Sequence, residues 1–449
     1  MGRDRLRRLY RAPWFASVAA LAVAALVAGV AVSVDDGGGG GDRGSPAART
    51  GATGAGGPRP RSFLARLIPP PGGSLPGARV PGQIHRLVAR LPLERKAAQL
   101  MLVGFTGRDP SIAFFRTLAR FDFGGVVLER RNYADPIQLE AMTTSVANAT
   151  ARRGHEPPLV LARQSGGSLS AFPDLPPAGE PGELAGTSDA ADQYARTAAA
   201  LKDAGLSGVI GPPLDVSTHE ADELGTLAFS DDPEEVAAYA RAGVGAFRRA
   251  RMLVAPEHFP GGGAATEDTD EGPAQVGLTL PELERRDLVP FRAAIDAGAQ
   301  ALLVGHASYA PDDFVLPASL SRNLTTNLLR GGLGFRGVAI SDDLAAAAVI
   351  TTQPSIAAAA VAAIAAGVDM VWISGPASSQ MRAYRAILAA ARRGAIPRTR
   401  LDAAVTRIVT VKRELGLRLR RREPPPQWPN AAQPGTGPAT PPPLAPVLP

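Results

Sequence analysis

Two stretches of this chain concentrate carboxylates where a fold could use them. In the first, an apolar run, Met252-Leu253-Val254-Ala255, leads into His258, Phe259 and Pro260, then Gly261 to Gly263, then Glu267, Asp268, Asp270 and Glu271. In the second, Gly337 to Leu344, an apolar run ends in two adjacent acids, Asp342 and Asp343. An acidic loop is by itself usually a solvated surface. Carboxylates at the C-terminal end of strands, however, are where parallel α/β folds place catalytic groups. Two acidic positions offered from two strand ends suit glycoside hydrolysis, which needs one carboxylate as nucleophile or base and a second group as acid.

Other chemistries lack their residues. The chain has no cysteine, which removes disulfides, thiolate nucleophiles and Cys-ligated zinc. The five histidines, at 85, 155, 219, 258 and 306, are too dispersed in sequence for a zinc motif, and no Gly-X-Ser-X-Gly marks a serine hydrolase. The glycine run Gly37 to Gly41 is closed by no Lys-Ser or Lys-Thr, so it is not a phosphate loop. No cofactor and no metal is expected.

Positioning the two stretches requires a scaffold that brings strand ends together. Between residues 83 and 417 the sequence alternates apolar strand patterns with Ala-rich helical ones. Strands are predicted at Leu100 to Phe105, Gly124 to Leu128, Leu159 to Arg163, Gly208 to Val216, Met252 to His258, Ala301 to His306, Gly337 to Asp342 and Met370 to Ser374. Helices are predicted at Ser188 to Ala204, Pro233 to Ala250, Pro281 to Asp296, Ser355 to Ala366 and Asp402 to Leu415. Eight such repeats predict an α/β fold of the (β/α)8 TIM barrel type, with a doubly wound open sheet as the structural alternative.

The ends read differently. Met1 to Arg11 carries five arginines, and Trp14 to Val34 is an almost uncharged apolar run of a length that can span a bilayer with the basic flank inside. Residues 1–34 are therefore expected to form a membrane anchor, with a cleavable signal as the competing reading because of Ala31-Val32-Ser33. The barrel is expected outside the cytoplasm, on the cell membrane or secreted. Residues 35–82 have the Gly- and Pro-rich composition of a linker, and 418–449, with 11 prolines after residue 422, that of a disordered tail. The formal net charge of +6 comes from the two ends, Met1 to Arg11 and Arg418 to Arg422, so no nucleic-acid groove is expected.

His-Phe-Pro-Gly followed about eighty residues later by Gly-Phe-Arg-Gly-Val-Ala-Ile-Ser-Asp-Asp-Leu resembles glycoside hydrolase family 3, in its single-barrel β-N-acetylhexosaminidase branch. The resemblance implies that Asp342 is the nucleophile, that His258 and His306 bind sugar, and that Asp215 in Pro-Leu-Asp-Val is a structural aspartate. Relatives place an Asp-Ser-His loop where this chain has Asp268-Thr269-Asp270, so Asp270 stands at the acid/base histidine and Asp268 at the residue that orients it. Relatives also carry Asp where this chain has Arg163, Lys where it has Glu257, and Arg where it has Leu227. Arg163 and Glu257 remain candidate substrate contacts. Their reversed signs predict a mutual ion pair at one layer of the barrel mouth. Two readings follow: a retaining glycosidase of cell-wall or extracellular glycans, expected to be a monomer, or an inactive barrel that binds glycan or a partner protein.

Overall fold

The computed structural model describes residues 81–109, 113–151, 154–218 and 227–418. The apolar runs become parallel strands whose residues are nearly all buried, because helices cover them on one side and the other strands on the opposite side. The strands are β1 (Met101–Val103), β2 (Gly125–Leu128), β3 (Leu159–Arg163), β4 (Gly208–Pro213), β5 (Leu253–Glu257), β6 (Gln275–Val276), β7 (Ala301–Val304), β8 (Ser308–Tyr309), β9 (Val338–Asp343) and β10 (Met370–Ile373).

Eight of them form one sheet in the order β5-β4-β3-β2-β1-β10-β9-β7. That order follows the chain around a ring, which excludes the doubly wound alternative, since such a sheet reverses its strand order at a switch point. Closure between β5 and β7 is reduced to a single bridge, Phe259 to Val304. There the Phe259 N–H donates to the Leu303 carbonyl at 2.8 Å and the Gly305 N–H to the Phe259 carbonyl at 2.9 Å. The fold is thus an α/β barrel of the TIM type. The short β6 and β8 pair outside the ring and tie the loop after β5 to the loop after β7.

The helices carry their own end signals. Pro233–Arg249 starts behind Asp232, whose side chain accepts from the Glu234 N–H, and it has Pro at its first position, acids in its first turn and Arg248 and Arg249 in its last. Ile356–Ala366 is capped by Ser355 and stopped by Gly367 at φ 135°. The helix expected over Pro281 to Asp296 is broken into Leu280–Arg285 and Leu288–Asp296. Pro290 is the cause: it has no N–H to give the Arg286 carbonyl, and its ring crowds that oxygen. Freed from the helix, Arg286 donates to the Val216 and Ser217 carbonyls and pairs with the fully buried Asp287 beneath the loop after β4.

At the start of β10, buried Asp369 accepts from Arg330 at 2.6 Å, from Arg400 and Arg407 at 3.1 Å each, and from the Ala339 N–H. Two of those arginines sit on the last described helix, Arg398–Glu414, so this carboxylate pins that helix to the barrel. Asp369→Ala is expected to cost about 3–5 kcal/mol, because it leaves three guanidinium groups around an empty buried site. Equilibrium denaturation of the variant checks this. The candidate span 14–34, the linker to residue 80 and the tail beyond 418 lie outside the described residues, and no described helix is long and apolar enough to cross a membrane.

Candidate active site

The ends of β3, β4, β5, β7 and β9 meet at one mouth. There a cleft of about 260 Å³ is lined by Arg163, Asp215, His258, His306 and Asp342 together with Glu267, Asp268, Thr269 and Asp270 from the loop after β5. The structure therefore brings together seven of the eight residues singled out in the sequence. Glu257 is the eighth and is placed directly beneath, 1% exposed.

Asp215 organises the first half. Its Oδ2 lies 2.7 Å from His258 Nδ1, and its Oδ1 accepts from the Gly262 N–H at 2.6 Å and the His258 N–H at 3.4 Å. The glycines are needed for this wrap: a Cβ on Gly263 would lie 1.8 Å from the Val216 carbonyl oxygen, and one on Gly261, at φ 121°, would meet Asp287 at 2.6 Å. Tyr309, buried, closes the turn by donating to the Gly261 carbonyl. Burial pushes the His258 imidazole toward neutrality, but Asp215, Glu257 and Asp342 outweigh it and raise the ring to about 10. His258 is thus a cation at neutral pH. Asp215→Asn is expected to bring its titration down toward the ordinary histidine range near 6.5, read from the ring proton shifts.

Asp342, 6% exposed, sits at the end of β9. Its Oδ1 accepts from the Asp343 N–H at 2.8 Å and lies 3.4 Å from Arg163 Nη2; its Oδ2 lies 3.6 Å from His258 Nε2. Burial alone would raise this carboxyl, yet Arg163 and His258 hold it below the usual value, so it is ionised. His306 supports the same strand end from behind: its Nε2 donates to the Asp343 carbonyl at 3.0 Å, leaving Nδ1 to meet Ser319 Oγ at 2.8 Å. Asp343 turns away from the cleft and accepts from the backbone N–H groups of Ala345 and Ser374 and from the Ser374 hydroxyl.

The predicted reciprocal pair exists. Arg163 Nε and Nη2 both reach Glu257 Oε2, at 3.0 and 2.9 Å, and the guanidinium carbon lies 5.6 Å from the centre of the Trp372 ring. The charge reversal was legible in sequence. The aromatic support and the further reach of Arg163 to Asp342 were not.

The acidic loop is held over the cleft rather than free. Ala265 bridges Val276, Thr266 exchanges bonds with Gln275, and the Ala348 N–H donates to the Thr269 carbonyl at 3.0 Å, tying the loop to the turn that follows Asp342. Asp268 Oδ1 accepts from the Asp270 N–H at 2.8 Å, which sets the bend that presents Asp270. Asp270 is at the solvent rim, and desolvation, Asp342 and Asp268 raise its carboxyl above the ordinary value against the pull of Arg163 and His258. One carboxyl pushed down and another pushed up, in one cleft, is the division of labour that a nucleophile and a proton donor require.

Residues 92–411 match the family profile described as Glycosyl hydrolase family 3 N terminal domain. Over 288 residues the chain is 36% identical to a Beta-hexosaminidase of Xylella fastidiosa (strain 9a5c), a match covering 62% of this chain and 84% of that protein. A glycoside hydrolase family 3 beta-N-acetylglucosaminidase from Paenibacillus sp. str. FPU-7 superposes with a TM-score of 0.70 at 28% identity, over 73% of this chain and 63% of that one. The Beta-N-acetylhexosaminidase from Beutenbergia cavernae DSM 12333 superposes with a TM-score of 0.67 at 28% identity, over 72% of this chain and 99% of that one. The barrel described above therefore corresponds to nearly the whole of the Beutenbergia protein.

Proposed function

The chain belongs to glycosyl hydrolase family 3, a family of glycosidases, and from that premise we propose that it is a retaining, β-N-acetylhexosaminidase-like enzyme acting on cell-wall or extracellular glycans. The observation that carries this reading is the pairing, across one cleft, of Asp342, whose carboxyl is held below its ordinary value, with Asp270, whose carboxyl is raised above it. Asp342 attacks the anomeric carbon while Asp270 gives its proton to the leaving oxygen. Once Asp342 is an ester it no longer repels the Asp270 carboxylate, so the proton affinity of Asp270 drops, and it can take a proton from the incoming water. The protonated His258, fixed by Asp215, is a donor for a sugar hydroxyl, and the acid Asp268 orients the loop rather than transferring the proton.

Asp270 stands where relatives carry histidine, and this favours a second reading, a barrel that binds glycan without cleaving it. Incubating the full chain with aryl β-glycosides, the N-acetylglucosaminide first, separates the two: release of the aryl group supports hydrolysis, whereas saturable binding without release supports the second reading. The apolar run at 14–34 supports an anchored or exported location, with the barrel on the outer side.

A further inference from the structure

The mechanism above uses Arg163 only to keep Asp342 ionised before attack and assigns it no part in breakdown of the ester. Asp342 is surrounded by titratable and charged groups from several elements: Arg163 from β3, Glu257 at the end of β5 and His258 just after it, Asp270 from the loop, His306 after β7, and Asp343 beside it on β9. Of these, Arg163 has its shortest bonds to a group outside the reaction, Glu257, and reaches Asp342 and His258 at 3.4 and 3.5 Å. Glu257, buried beneath, takes its Nε and one Nη2 bond, and Trp372 supports its flat face, which leaves Nη2 pointing at Asp342 Oδ1. Its Nη2 is shared between Glu257 Oε2 at 2.9 Å and Asp342 Oδ1 at 3.4 Å, so the cation faces both carboxylates.

A cation held there does not act equally on the two halves of a retaining reaction. It stabilises Asp342 whenever the carboxylate is free and does nothing comparable for the neutral ester. Attack on the substrate therefore starts from a stabilised nucleophile, while breakdown of the ester ends in one. In breakdown, the water oxygen bonds to the anomeric carbon, the bond from that carbon to the Asp342 oxygen breaks with its electron pair returning to the carboxylate, and the water proton passes to Asp270.

We propose that Arg163, anchored by Glu257 and Trp372, is a positioning residue that keeps Asp342 a carboxylate and so speeds its departure from the glycosyl-enzyme. The proposal rests on the retaining reading and adds to it which step the reversed pair serves.

The test uses the full chain, because removing Arg163 alone strands a buried carboxylate. Arg163→Gln/Glu257→Gln removes both charges together, and Arg163→Lys keeps the cation while losing its fork. With a dinitrophenyl β-N-acetylglucosaminide, the double variant is expected to show a pre-steady-state burst and an intact mass raised by one glycosyl group, neither of which the wild type shows. Its acid limb in kcat/KM is expected to move up by about one to three pH units, with Arg163→Lys between. In parallel, the Asp342 carboxyl is titrated directly in protein carrying 13C-labelled aspartate, assigned by its absence in Asp342→Asn. A wild type that releases no aryl group defeats the retaining reading, and the titration still decides whether Arg163 holds Asp342. An Asp342 titration identical in wild type and double variant overturns the proposal. So does an active double variant with no burst, no adduct and an unmoved acid limb.

Discussion

Asp342→Asn is expected to abolish turnover, on the order of 10⁴-fold or more, with the barrel intact. On the proposed mechanism the size follows from the lost nucleophile, because an amide cannot form the glycosyl ester. Asp343 is adjacent in sequence but accepts three bonds from Ala345 and Ser374 and faces away from the cleft. Folding should survive, since the Asp343 N–H keeps an acceptor in the amide oxygen and Arg163 keeps Glu257. The amide also removes a charge that lies 3.6 Å from His258 Nε2, so His258 should titrate lower in the variant. Wild-type rates with aryl β-glycosides, the variant's rates and its thermal transition together check the claim; equal rates would rule out Asp342 as nucleophile.

What could be read before folding divides along a physical line. The eight barrel strands were legible because a parallel strand buried on both faces writes itself as a short apolar run. Their ends were set about one to three residues too long at Val216, His258 and His306, where the chain keeps an extended, apolar look after the ladder has stopped. The break at Arg286 was also legible in Pro290 but lay inside a strong helical pattern. At the site, Asp342, Asp270, His258 and Asp215 could be placed from motifs and the Arg163–Glu257 pair from reversed signs. Ser374 holding Asp343, Ser319 behind His306, Tyr309 on Gly261 and Trp372 under Arg163 could not. Each is a contact between segments far apart in sequence, set by barrel radius and side-chain direction. Only Ser374 had a signal, as the polar residue ending the last predicted strand.

Asp270→Asn should produce a loss that depends on the leaving group. A proton donor contributes about 10²- to 10⁴-fold when the departing oxygen is basic and little when it leaves unaided. Dinitrophenyl glycosides should therefore keep most of their first-step rate, and glycosides with alkyl or sugar leaving groups should lose it. The second step needs Asp270 as base whatever the leaving group was, so an activated substrate should leave the glycosyl-enzyme standing, and azide or another small anion should restore release. The pH dependence supplies the sign. On the proposed mechanism, wild-type kcat/KM requires Asp342 ionised, with its carboxyl held below the ordinary range, and Asp270 protonated, with its carboxyl held above it. Activity should thus rise as pH climbs through the Asp342 limb and fall as it climbs through the Asp270 limb. His258, near 10, stays protonated across both. Asp270→Asn should erase the descending limb and leave the ascending one. If the descending limb persists in the variant, another group is the donor, and Glu267, which lines the same cleft, is the next to test.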